Sequence, residues 1–188
     1  MFEFLRCSMA GPAAPSRTTL LWDAGGMTTN EDRTARIAEL RRHEEELVFE
    51  SFDNTDAWRL GSLIAQRGLD AGHRIAIDIR RPGLILFRAA LPGSTADQEA
   101  WIQRKSASAF RFESSTALLG EQFAANGVDP SVDGWLDPTQ YSTSGGAFPV
   151  RVAGAGVVAV VTVSGLASDD DHQLVVDSIA EYLAAGSR

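Results

Sequence analysis

The stretch from Gly145 to Val176 constrains the fold more than any other part of the chain. Gly145-Gly146 opens an alternating segment, Ala147 to Ala153. Gly154-Ala155-Gly156 then permits a tight reversal, and the apolar run Val157-Val158-Ala159-Val160-Val161 continues through Thr162 and Val163. Two β-prone runs joined by a glycine-rich turn predict a hairpin. Five apolar residues in a row predict a strand covered on both faces. Ser164-Gly165 then makes a sharp corner. Beyond it, Ser168 or Asp169 is placed to cap a helix that carries Val175, Ile179, Tyr182 and Leu183 on one face.

The preceding residues supply what such a strand needs on either side. Ile37, Leu40 and Leu47 predict a charged amphipathic helix over about 31–46, and Leu47 to Phe52 a short strand. Asp53 or Asn54 caps a second helix, whose buried stripe is Ala57, Leu60, Gly61, Ile64 and Ala65. Arg74 to Arg80 alternates with Ile75, Ile77 and Ile79 on one face. Arg81-Pro82-Gly83 turns the chain into Leu84–Ala89, giving another hairpin. Thr95 and Gln98 form a capping box for a helix through Trp101, Ile102, Lys105 and Ala109. Helical patterning resumes at Leu118 and stops at Asn126-Gly127, with the intervening Phe110–Ser115 open to either continuous helix or a break. Residues 128–144 read as a long loop. These elements predict an α/β fold with one five-stranded antiparallel sheet flanked by helices.

Net charge is −8 and the pI about 4.8, so phosphate backbones and anionic membrane surfaces are repelled and no nucleic-acid or membrane partner is expected. Cys7 is the single cysteine, and the N-terminal segment lacks the pattern of a secretory signal, which points to a reducing cytoplasm. Residues 1–30 have no sustained period. They read as a disordered tail or as a misassigned start, with Met9 or Met27 as the true one, and residues 31–188 form a single domain.

Gly145-Gly146-x-Phe148-Pro149, then Val163-Ser164-Gly165-Leu166, then Asp171-His172 before an apolar helix resemble the UPF0303 family, the YBR137W-like branch of the PduO C-terminal/GlcG/HbpS superfamily. Trp101-x-x-x-Lys105, Arg111-Phe112-Glu113, Arg80-Arg81-Pro82 and Phe87 are similar to the same branch, and the likeness spans about 31–185. The resemblance implies a haem-degrading-like domain with a profilin-like α/β/α sandwich, a homo-oligomer, and haem or a related tetrapyrrole as ligand. It also implies oxidative haem degradation as an alternative function. A non-enzymatic interaction scaffold with a vestigial pocket is a further alternative.

Haem takes an axial His, Cys, Met or Tyr. His43 lies on a charged helix and His73 in a turn, so both read as solvated surface residues. His172, in the first turn of the last helix, is either packed against the corner or a ligand. Gly145-Gly146 and Ser164-Gly165 either allow close backbone approach or expose N–H donors on the rim of one pocket, with Tyr141, Ser142 and Ser144 as polar wall. Arg104 and Lys105, with Arg80, Arg81 and Arg88, either hold a carboxylate or propionate or bridge subunits. The candidate ligand-binding set is therefore His172, Arg104, Lys105, Gly145, Gly146, Ser164 and Gly165. Contiguous Asp169–Asp171 complement a helix N-terminus better than they hold a cation, so no metal is expected. No nucleophile with a base and an orienting partner is visible.

Overall fold

The structure, a computed structural model, describes residues 30–186 apart from position 131; the expectation for residues 1–30 lies almost wholly outside them. The chain order is α1 (Asn30–Glu46), β1 (Val48–Phe49), α2 (Asn54–Asp70), β2 (Ala76–Arg81), β3 (Leu84–Ala90), α3 (Ala96–Phe112), α4 (Thr116–Ala125), β4 (Ala147–Val152), β5 (Gly156–Ser164) and α5 (Ser168–Gly186). One five-stranded sheet runs β1-β4-β5-β2-β3, so the apolar β5 is its central strand. The β2–β3, β2–β5 and β4–β5 pairs are antiparallel.

The sheet is mixed rather than purely antiparallel, because β1 pairs parallel to β4 through Val48–Arg151 and Phe49–Val152. No hairpin joins this two-residue strand to its neighbour. Its direction follows from the path between α1 and α2, which local pattern does not encode.

The pleat sends alternate residues of the central strands to opposite faces. Ile75, Ile77, Ile79, Val161 and Val163 face one way and join Leu60, Ile64, Val175 and Ile179 of α2 and α5 in the main core. Gly61 lets α2 approach β3, since a Cβ there would lie 2.3 Å from the Phe87 ring. On the opposite face, Val160 and Ala147 pack on Ala109 of α3. Within Phe110–Ser115, which the sequence left open to either reading, the helix breaks after Phe112. Glu113 takes φ 49°, the left-handed region that ends helices, and the Ser115 hydroxyl accepts the Leu118 N–H at the start of α4.

α1 lies over α4 and the start of α5. Leu40 is its one buried residue and packs with Ile37 on Ala117 and Leu118; polar contacts add Arg33 to Glu121, Arg36 to Asp169, and Glu44 to the Ser114 hydroxyl and Ser115 N–H. No helix among the described residues is long and apolar enough to cross a membrane.

Candidate functional site: the cleft beside Trp101

β5 ends at the Ser164-Gly165 corner, and α5 starts at Ser168. Neither Ser168 nor Asp169 serves simply as the cap expected from sequence. The Ser168 hydroxyl accepts the Gly145 N–H at 2.6 Å, and Asp169 pairs with Arg36 at 3.2 Å. The carboxylate that gathers the corner is Asp171. It accepts Leu166 N–H at 3.0 Å and Gly165 N–H at 3.4 Å, so it satisfies backbone donors that the turn into the helix leaves free.

Lys105 meets Asp171 from α3. Its Nζ donates to Asp171 Oδ2 at 2.8 Å and to Val163 O at 3.2 Å, and both side chains are almost fully enclosed. Burial pushes the Lys105 ammonium below the ordinary lysine range, with Asp171 opposing the shift. Burial likewise raises the Asp171 carboxyl, against the pull of Lys105 and the two N–H donors. Gly146 leaves the room for this pair. At φ 118°, a Cβ there would stand 2.9 Å from Lys105 Nζ and 2.8 Å from Asp171 Cβ. Gly145 is similarly hemmed in by Ser168 O, 2.4 Å from where its Cβ would be. Glycine at both positions is required by close backbone approach.

The pair sits at the base of a cleft of 330 Å³, walled by Trp101, Gln98, Ser144, Ser164, Gly165 and Ser168 among others. A second recess of 200 Å³ shares Trp101 and Ser144 with it and adds Arg104, Tyr141 and Ser142. Arg104 lies over the Trp101 ring, 4.0 Å from its centroid, and Trp101 Nε1 donates to Asp97 at 3.0 Å. The indole thus forms a fixed partition between the two recesses.

The structure brings Lys105, Ser164 and Gly165 together at the cleft, with Gly145 and Gly146 immediately behind them. Arg104 lines the adjoining recess, against Trp101. His172 is elsewhere. It is fully buried and points under α1, its Nε2 3.3 Å from His43 Nδ1 and its ring against Phe148. Burial, with His43 and Arg36 nearby, lowers its pKa to about 4, so the imidazole is neutral at ordinary pH. His43 is therefore not a solvated surface residue but half of a stacked histidine pair, and its own pKa is lowered by burial. His73 is half-buried in the turn after α2.

Arg80, Arg81 and Arg88 each find partners within the chain, although a buried nitrogen of each has no hydrogen-bond partner. Arg80 Nε and Arg88 Nε both donate to the fully buried Asp78, Arg80 also reaches Gln103, Arg88 pairs with Glu99, and Arg81 donates to Phe52 O. This supplies partners inside one subunit where bridges between subunits had been an open reading. Sequence reasoning missed Asp78 and the role of Asp171. The available signal was a single acid interrupting Ile77-Asp78-Ile79. Among the described residues no group of three or more His, Cys, Asp or Glu is arranged to hold a metal ion.

A five-stranded sheet with α2 and α5 on one face, α3 on the other, and a polar cleft at the β5–α5 corner makes this an α/β sandwich. Comparison with known proteins agrees. The model of the family described as "Haem degrading protein HbpS-like" matches residues 52–180. The chain is 47% identical over 147 residues to "UPF0303 protein SCO2848" of Streptomyces coelicolor, covering 78% of this chain and 93% of that one. It is 43% identical over 143 residues to a UPF0303 protein of Acidobacterium capsulatum, covering 76% and 87%. The crystal structure of Ybr137w superposes with a TM-score of 0.73 at 30% identity, covering 81% and 92%. That of a PduOC:heme complex superposes with a TM-score of 0.58 at 17% identity, covering 71% and 94%, a likeness of fold. The chain belongs to the UPF0303 family, within the HbpS-like group.

Proposed function

We propose that the chain is a cytoplasmic, homo-oligomeric protein that binds a small polar molecule in the Trp101 cleft. The observation that carries this reading is the convergence of Lys105 and Gln98 of α3, Ser144 before β4, Ser164 of β5 and Asp171 of α5 on one concave recess. Few convergent polar groups in a single cleft are the usual form of a small-ligand site.

The family's description and the PduOC:heme complex make haem the first named ligand to test. The residues of the cleft do not fit the iron. None of its walls is a His, Cys, Met or Tyr; Tyr141 lines the adjoining recess, and His172 is enclosed beneath α1. Arg104 in the adjoining recess would suit a propionate or another carboxylate of a ligand that reaches past Trp101. The geometry therefore favours a ligand held by polar contacts over one held through a metal. An interaction scaffold with a pocket filled by its own side chains is the weaker reading, because the cleft is open.

Exposed Trp58 on α2, with Leu84 and Ile85 on edge strand β3, offers the apolar area an oligomer would cover. Light scattering at micromolar protein is expected to show a species above 20.2 kDa, and a monomer alone would count against assembly.

Titration with haemin, metal-free protoporphyrin IX and glyoxylate, followed by absorbance and tryptophan fluorescence, tests the ligand. Saturable binding is expected for at least one probe and lost in Ser144→Trp, whose indole fills the cleft. Haemin and protoporphyrin should bind alike if either binds. No binding, or binding indifferent to Ser144→Trp, refutes the cleft as the site, and a haemin-specific shift of the Soret band would show that a side chain does reach the iron.

A further inference from the structure

Of the 17 lysines and arginines in the chain, Lys105 is the only lysine. Every exposed cation is an arginine, and the sole primary amine on a side chain is 3% exposed at the base of the cleft. Arginine makes better bidentate ion pairs, but its guanidinium keeps its proton and is not a nucleophile. Lysine is the cation that can release its proton when buried.

We propose that Lys105 condenses with a small aldehyde or ketone to form an imine in the cleft, with Asp171 as its proton relay. The inference rests on the cleft being the ligand site and names the functional group of the ligand. Two features besides burial support it. Asp171 Oδ2, at 2.8 Å, stands where it can take a proton from the amine. The N–H groups of Leu166 and Gly165 hold that carboxylate in place. Desolvation of both partners draws the pair toward its neutral form, which is the reactive one for an amine.

The chemistry balances without any further reactant. Lys105 passes one ammonium proton to Asp171. The Nζ lone pair attacks the carbonyl carbon, a C–N bond forms, and the carbonyl oxygen takes the proton from Asp171 to give a carbinolamine. The nitrogen loses its second proton to the Asp171 carboxylate, the hydroxyl leaves with that proton as water, and a C=N bond remains. The net change is ammonium plus carbonyl to iminium plus water, with Asp171 returned to its carboxylate. Ser144 and Ser164 line the space where the carbonyl oxygen would leave, and Arg104 lines the adjoining recess, where a ligand long enough to pass Trp101 would bring a carboxylate.

Incubating the full chain with glycolaldehyde or glyoxylate and cyanoborohydride, then mapping peptides by mass spectrometry, reads the imine as a secondary amine. The map separates Lys105 from the α-amino group, the only other amine available. Labelling of Lys105 is expected to run at least about tenfold faster in the native chain than in urea, where the amine has its ordinary pKa. It should disappear in Asp171→Asn if that variant keeps its melting temperature. A lysine with only a structural part would show the reverse: protected when folded, labelled when unfolded. That result in the wild-type chain overturns the proposal without recourse to any variant. Glyoxylate that quenches fluorescence reversibly in the wild type, but not in Ser144→Trp, and leaves no adduct would also overturn it, while the cleft itself would stand as a binding site.

Discussion

The two faces of the sheet are built from the same strands and are chemical opposites. Toward α2 and α5, β2 and β5 present Ile77, Ile79, Val161 and Val163, and the helices answer with Leu60, Ile64, Val175 and Ile179. Toward α3, the alternate positions present Asp78, Thr162 and Ser164 beside Val160, and α3 answers with Lys105, Ser106 and Ala109. Both faces are buried. The first gains from apolar area removed from water, which depends little on direction. The second requires each buried polar atom to find a partner with correct geometry, and gains little when it does. The cleft lies at the end of the second face, where α3 no longer covers the strand ends and the polar groups reach open space.

Removing one partner from each face gives the largest contrast. Asp78→Leu leaves Arg80 and Arg88 without their shared carboxylate and is expected to cost about 3–5 kcal/mol, as breaking a buried ion pair does. Ile77→Ala, the adjacent residue on the other face, is expected to cost about 2–5 kcal/mol through lost burial and a cavity. Urea unfolding measures both. The separation lies in rescue: adding Arg80→Leu and Arg88→Leu to Asp78→Leu should recover most of its loss, because uncompensated charge caused it. Failure to recover would mean that packing governs this face too.

Acid is expected to act at the boundary between α1 and α5. Unfolded His172 takes up a proton near pH 6.5, its ordinary value, whereas the folded residue resists protonation until about pH 4. Between those limits the unfolded chain holds more protons, so stability is full above about pH 6.5 and falls as pH drops toward 4, by roughly 3 kcal/mol. His43 shifts in the same direction and adds to the effect. Melting temperature against pH should show this slope, and His172→Leu should flatten it. An unchanged slope in that variant would assign the acid sensitivity to other groups.

The smallest effect should come from Ser106 and Thr162, whose hydroxyls are 2.9 Å apart and buried between α3 and β5. Thr162→Val alone leaves the Ser106 hydroxyl unmet and is expected to cost about 1–3 kcal/mol, whereas Ser106→Ala with Thr162→Val should be nearly neutral. A double-mutant cycle by urea unfolding measures the coupling. If the double variant is as unstable as the single one, cavity formation and not hydrogen bonding sets the energetics of this face.

The same contrast explains what could be read in advance. Among the described residues, helical and strand periodicity located each helix, both hairpins and the central β5, because an apolar residue that recurs every second or every third to fourth position has one way to be buried. Ile77 and Val160 are both fully enclosed, as the pattern requires. Gly145-Gly146 and Ser164-Gly165 marked the corner that the cleft occupies. Partners were not legible. Asp171 looked like one of three acids at a helix start, His43 like a surface residue, and Arg80 and Arg88 like cations in need of an anion. The parallel seat of β1 had no local signal at all. Sequence by itself determined the elements, their apolar faces and the family, since these follow from near-neighbour spacing. Tertiary structure alone decided that Lys105 meets Asp171 across 66 residues and His43 meets His172 across 129. A polar pair depends on the distance and direction between two atoms, and only the folded chain fixes those.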